Sequence, residues 1–215
     1  MSASSDLDDL EHLAAVVSSS AKTVKTFLTI NNIPQPSFHV DAPLGFPSDA
    51  PEDVQDARRN LREASKRIHD LATGPIESTT WLSTRYNDCS TMQYIYDFKI
   101  AEAVPLESTV TFTELARKTR TDESKTRRIL RYAMTNNLFH EPSPSHVAHT
   151  AASRLFLMPG FSDLLGYSSE DVFPGAAKLV ETTRKHGNSD DMNHAPFNLA
   201  HNTDAPALRY FSEHP

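Results

Sequence analysis

Residues 109–150 constrain the fold more than any other stretch of this chain. TVTFTELARKT offers a threonine cap, Thr111 or Thr113, with Glu114 close behind and Leu115 and Ala116 on one face. TDESKTRRILRYAMTNNLF follows, where Thr121 or Asp122 can cap a second helix carrying Ile129, Leu130, Ala133 and Met134. Asn136-Asn137 supplies its stop, because asparagine tolerates the left-handed conformation. LFHEPSPSHVAHT then reads as two short extended runs around a Pro-Ser turn. Helix, turn, helix and a two-stranded wing make a winged helix. Thr150 or Ser153 would cap the helix that starts after it.

The flanks are helical. Residues 6–31 place Leu7, Leu10, Leu13, Val17, Val24, Phe27 and Leu28 at three- and four-residue spacing. Pro34, Pro36, Pro43, Pro47 and Pro51 make 33–51 an extended linker, since proline cannot continue a helix. A helix over 52–73 should end at Gly74-Pro75, with helical patterns resuming at 76–85 and 90–102 and stopping at Val104-Pro105. Beyond the wing, 160–186 reads as two short helices broken near Pro174, and the tail as a loop followed by one helix from about Asp204. The expected fold is mainly α: a helical bundle with a winged-helix motif and a small β-hairpin. The expected division is 1–50, N-terminal helix and linker, and 51–215, the winged-helix domain.

Composition removes several functions. The six glycines include no G-x-G pair, so no Rossmann or P-loop nucleotide site is expected. No run of about 18 apolar residues is present, and the acidic N-terminus lacks a secretory pattern. Cys89 is the single cysteine, which fits a reducing, cytoplasmic setting. A net charge of −7 opposes non-specific nucleic-acid binding.

Three clusters invite a functional reading. Lys125, Arg127, Arg128 and Arg131 could meet phosphates, but Asp122 and Glu123 sit where base contacts would form, and the wing is not basic. No specific nucleic acid is expected. His146 and His149, three apart on a strand, point to opposite faces and cannot share a metal, and His186, His194 and His201 lack ligand spacing. No metal is expected. Trp81, Tyr86, Met92, Tyr94, Tyr96 and Phe98 are either pocket wall or core and interface, and the pattern leaves both open.

The pieces CSTMQYIYDFKIAEAVP, FTELARKT, TRRILRYAMTNNLF, HVAHTAASRLF, EDVFPGAAKLVE and HAPFNLAHNTDAPALRYFSEHP run in one order that resembles the N-terminal part of fungal secondary-metabolite O-methyltransferases. That group is related to the plant caffeate- and flavonoid-type enzymes, and the likeness covers about residues 50–215. The resemblance implies an entwined homodimer whose winged helix is not used for DNA and whose helices close one side of a substrate pocket. The pocket would take an apolar polyketide- or alkaloid-like molecule. It also implies that the S-adenosylmethionine site belongs to a following Rossmann domain, absent from this sequence, so no cofactor is expected here. Residues carried over as pocket candidates are Trp81, Arg85, Tyr86, Met92, Tyr96 and Arg154. Some members of the family are cyclases or pericyclases that polarise a carbonyl with histidine and arginine. On that likeness His149 is a structural residue first and the candidate catalytic donor second, with Arg154 or Arg85 as helpers. Two further readings follow: a cofactor-free cyclase or isomerase, and a regulatory partner of a gene-cluster transcription factor.

Overall fold

The computed structural model describes residues 9–213, in two compact units that divide between Arg85 and Tyr86. In the first, helix α1 (Leu10–Ile30) starts at Asp9, whose carboxylate accepts the His12 N–H at 2.7 Å. Residues 6–8 of the expected helix lie outside the described residues. Leu13, Val24 and Leu28 fall on one face and are buried. That face packs on helix α2 (Glu52–Thr84) through Val24, Leu28 and Ala57. The proline segment between them has no regular structure, yet Phe46 and Ile33 fold back onto this small core.

Helix α2 is interrupted at Gly74, whose φ of 72° and ψ of 171° suit glycine alone. Pro75 begins the second segment, where a missing N–H costs nothing. The rings of His69 and Trp81 stack with centroids 5.8 Å apart. A straight helix would separate residues twelve apart by about 18 Å, so the chain turns back at the glycine.

The second unit opens with α3 (Tyr86–Asp97) and α4 (Ile100–Ala103). The sequence reads 90–102 as one helix; the structure breaks it at Lys99, which is left-handed at φ 49°. The break has a packing reason. Ile95 and Ile100 are both fully buried, and in an unbroken helix residues five apart project about 140° from each other. Strand β1 (Val110–Thr111) leads into α5 (Phe112–Thr119), capped by Thr111, and α6 (Glu123–Thr135), capped by Asp122. The hairpin β2 (His140–Ser143) and β3 (His146–Ala148) turns through Pro144 and Ser145, the latter at φ 66°. The sheet is antiparallel with order β1-β3-β2, Val110 facing Val147. It therefore has three strands, one more than the sequence reading, because two residues of β1 are too few to show an alternating pattern. Phe112, Leu115, Leu130, Ala133, Phe139 and Val147 form the core beneath it.

After the hairpin come α7 (Ala151–Arg154), capped by Thr150, then α8 (Pro159–Tyr167), a π-turn, α9 (Phe173–Ala177) and α10 (Leu179–His186). Pro174 lies in the first turn of α9, where proline is tolerated, and does not break the run. The tail holds two helices rather than one, α11 (Pro196–His201) and α12 (Ala207–Glu213). Pro196 at the start of α11 and left-handed Asn202 at its end were the sequence signals for the extra helix.

Candidate functional site

His149 sits where β3 ends and α7 begins, and it is only 2% exposed. Its Nε2 faces two backbone carbonyl oxygens, Ala101 at 3.1 Å and Val104 at 3.2 Å. Carbonyl oxygens only accept, so Nε2 carries the proton. In the neutral ring Nδ1 accepts, and its partner at 2.8 Å is the Ser153 hydroxyl, which then donates. Ser153 Oγ in turn accepts the Thr150 N–H at 2.9 Å, while Thr150 Oγ1 donates to the Asn137 carbonyl at 2.7 Å. The Phe139 ring covers the imidazole at 5.3 Å. Burial pushes His149 below its ordinary pKa; the Ala101 and Val104 carbonyls pull upward, and Arg154 adds to the lowering. Burial favours the neutral ring, and both nitrogens are used within the chain. The arrangement ties α4, the end of β3 and the start of α7 into one clasp.

The remaining pocket candidates divide. Trp81 and Arg85 belong to the first unit, and Trp81 is half-exposed against His69. Tyr86 opens α3 and is 60% exposed. Met92 and Tyr96 pack against the main core of the second unit. The Tyr96 hydroxyl would stand 2.5 Å from a Cβ added at Gly166, so it fills the space that glycine leaves on α8. Arg154 is half-buried beside His149.

The basic face of α6 is largely committed to the chain itself. Arg127 pairs with Glu123, and Arg131 makes a two-pronged pair with Glu141 on β2, both contacts at 2.9 Å. Both guanidinium groups lie over the Phe112 ring. Glu141, held below the usual carboxylate range by Arg131 first and the Ser145 N–H second, braces the β2–β3 hairpin against α6. Lys125 and Arg128 remain exposed. Among the described residues no three metal-ligating side chains converge, and no helix is long and apolar enough to cross a membrane.

Two features escaped the sequence reading. His201 lies between Phe197, at 4.3 Å, and Tyr210, at 5.3 Å, with Nε2 3.3 Å from Asp171 Oδ1. No hydrogen bond joins the two, and among the described residues Nε2 is buried without one. The second feature is a cleft of about 400 Å³ between the end of α1 and the proline segment. Nothing in a run of prolines signals a cavity until its ends are packed.

Residues 82–159 match the model of the O-methyltransferase dimerisation domain. The chlorophenol O-methyltransferase of Trichoderma longibrachiatum is 36% identical over 192 residues, covering 89% of this chain and 41% of that protein. The chain thus spans less than half the length of that relative. Among solved structures, OxaC in complex with sinefungin and meleagrin superposes with a TM-score of 0.71 at 17% identity, over 94% of this chain and 46% of its own. A structure described as a pericyclic reaction enzyme gives 0.64 at 14% identity, over 95% and 47%. At these identities the two structures speak for the fold alone.

Proposed function

We propose that this chain, whose residues 82–159 match the O-methyltransferase dimerisation domain model, is the dimerising and substrate-lining module of a fungal secondary-metabolite O-methyltransferase. The observation that carries this reading is on α8. Phe161, Leu164 and Tyr167 recur at three-residue spacing on one helix face and are exposed, as are Val172, Leu179 and Val180 further on. A soluble domain rarely leaves so much apolar surface bare unless a partner covers it. Exposed Leu10 and Ile30 on α1 and Phe98 after α3 extend the proposal to residues 6–31 and 88–102. The winged helix acts as scaffold rather than DNA reader, because Arg127 and Arg131 are engaged within the chain. With no G-x-G among its glycines, this stretch supplies no S-adenosylmethionine site of its own and acts in a reducing, cytoplasmic setting. Its substrate is an apolar polyketide- or alkaloid-like molecule, a phenol on the precedent of the chlorophenol relative's name.

Sedimentation equilibrium tests the dimer. We expect a dimer at micromolar concentration and a shift to monomer in Leu164→Asp. A wild-type chain that stays monomeric at micromolar concentration would sink the reading.

The rival is a cofactor-free cyclase or isomerase in which His149 polarises a carbonyl, on the precedent of the pericyclic neighbour. It requires Nε2 to leave two carbonyl oxygens for substrate. The bonding of both nitrogens supports the positioning role instead.

A further inference from the structure

The proline segment, read from sequence as a linker, forms one wall of a cleft of about 400 Å³, within the range of small-molecule sites. Leu28 of α1 and Phe38, Leu44 and Phe46 of the segment give it apolar sides. Pro34, Pro36, Pro43 and Pro47 also line it, and fixed proline φ angles keep such a wall from collapsing when empty. One charged side chain lines the cleft, Arg58 of α2. Its guanidinium lies over the Phe46 ring, 5.0 Å from the centroid, which holds the fork in place. Neighbouring Arg59 is taken by Asp56, whereas among the described residues Arg58 has no carboxylate partner. Ser37 also lines the cleft; its oxygen accepts the His39 N–H at 2.9 Å, and its own hydrogen has no acceptor among the described residues.

We propose that this cleft binds a planar aromatic carboxylate, its ring against Phe38, Leu44 and Phe46 and its carboxylate on the Arg58 fork. The charge sets the class. A half-buried guanidinium without a counter-ion, mounted on an aromatic face, favours a ligand that brings both an anion and a ring. A partner helix is the poorer occupant, because it needs a groove long enough for anchors at i, i+3 and i+7. The site lies wholly within the first unit and stands apart from the dimerisation reading.

The test is titration of the whole chain with 2-naphthoate, followed through the methyl resonances of Leu28, Ile33 and Leu44. We expect saturable shifts at these methyls with a Kd below about 1 mM. The neutral 2-naphthamide should bind at least about tenfold more weakly, the scale of one charge-assisted hydrogen bond. Arg58→Gln should weaken naphthoate by a similar factor, and Phe38→Ala should weaken both ligands while leaving their ratio intact. If Arg58→Gln does not fold, the naphthoate–naphthamide ratio on the wild type decides. Equal affinity for the two ligands, no shifts up to about 5 mM, or shifts at these methyls on raising protein concentration alone would each overturn the proposal, the last by giving the cleft to a second copy.

Discussion

The two units of this chain are held together differently. The second buries large side chains completely: Ile95, Ile100, Phe112, Leu115, Leu130 and Val147 have no exposed surface. The first relies on Val24, Leu28 and Ala57, each left 4–8% exposed, with Ile30 and Phe38 in the open. Packing depth decides what a unit can carry. A dense core can hold a buried imidazole in one orientation, as the second unit does with His149. A thin core roofed by prolines leaves space, and in the first unit that space is the Arg58 cleft.

Core truncation should give the largest contrast. Phe112→Ala is expected to cost about 3–5 kcal/mol, and Leu28→Ala, at the edge of the cleft, about 2 kcal/mol. Urea denaturation of both variants checks this, and equal costs would erase the distinction between the units.

The His149 clasp should give the next. His149→Ala leaves two carbonyls and the Ser153 hydroxyl without their partner and should cost about 1–3 kcal/mol. Because burial lowers the native pKa of His149 below the ordinary value near 6.5, the unfolded chain takes up a proton first as pH falls. The contribution of the clasp is therefore complete above pH of about 6.5 and declines below it. Stability measured from pH 7.5 down to 5 should fall more steeply in the wild type than in His149→Gln. Parallel curves would show that the ring is not neutral and bonded as described.

Glycine replacement gives the smallest. Gly166→Ala forces the Tyr96 ring aside and should cost about 1 kcal/mol or more, whereas Gly45→Ala, in the proline segment with nothing within 4 Å, should stay within about 0.5 kcal/mol. Thermal melts of the pair sharpen the comparison; a larger loss at Gly45 would mean that the first unit is packed more tightly than its cleft implies.

Local chemistry explains which parts of this fold could be read in advance. The caps and the stops at Gly74 and Val104 act within a few residues; the sequence marks the stops and narrows the caps to Thr121 or Asp122 and Thr150 or Ser153, of which the fold uses Asp122 and Thr150. The mainly-α class and the relation to O-methyltransferases were legible for the same reason, as short pieces in a fixed order. Features that depend on distant partners were not. The left turn at Lys99 exists to bury Ile95 with Ile100, and β1 exists only because Val147 lies opposite Val110. The bonding of His149 depends on carbonyls at 101 and 104, which no motif around residue 149 announces. Short α11 was missed although Pro196 and Asn202 bracket it, because six residues carry too little periodicity to outweigh a polar composition.

The three-stranded sheet has a consequence for how the chain meets other chains. An open strand edge is a template for pairing with whatever extended segment comes by, and that is how many small domains aggregate. Here the central position belongs to β3, with both of its sides occupied. On one flank β1 is only two residues long, and on the other β2 carries Pro142, which has no N–H to offer, together with an irregular register between His140 and Ser143. Neither flank offers a long, regular edge to a foreign strand. Contact with another chain is thereby left to side-chain shape on the helix faces rather than to backbone hydrogen bonds, which would accept almost any sequence.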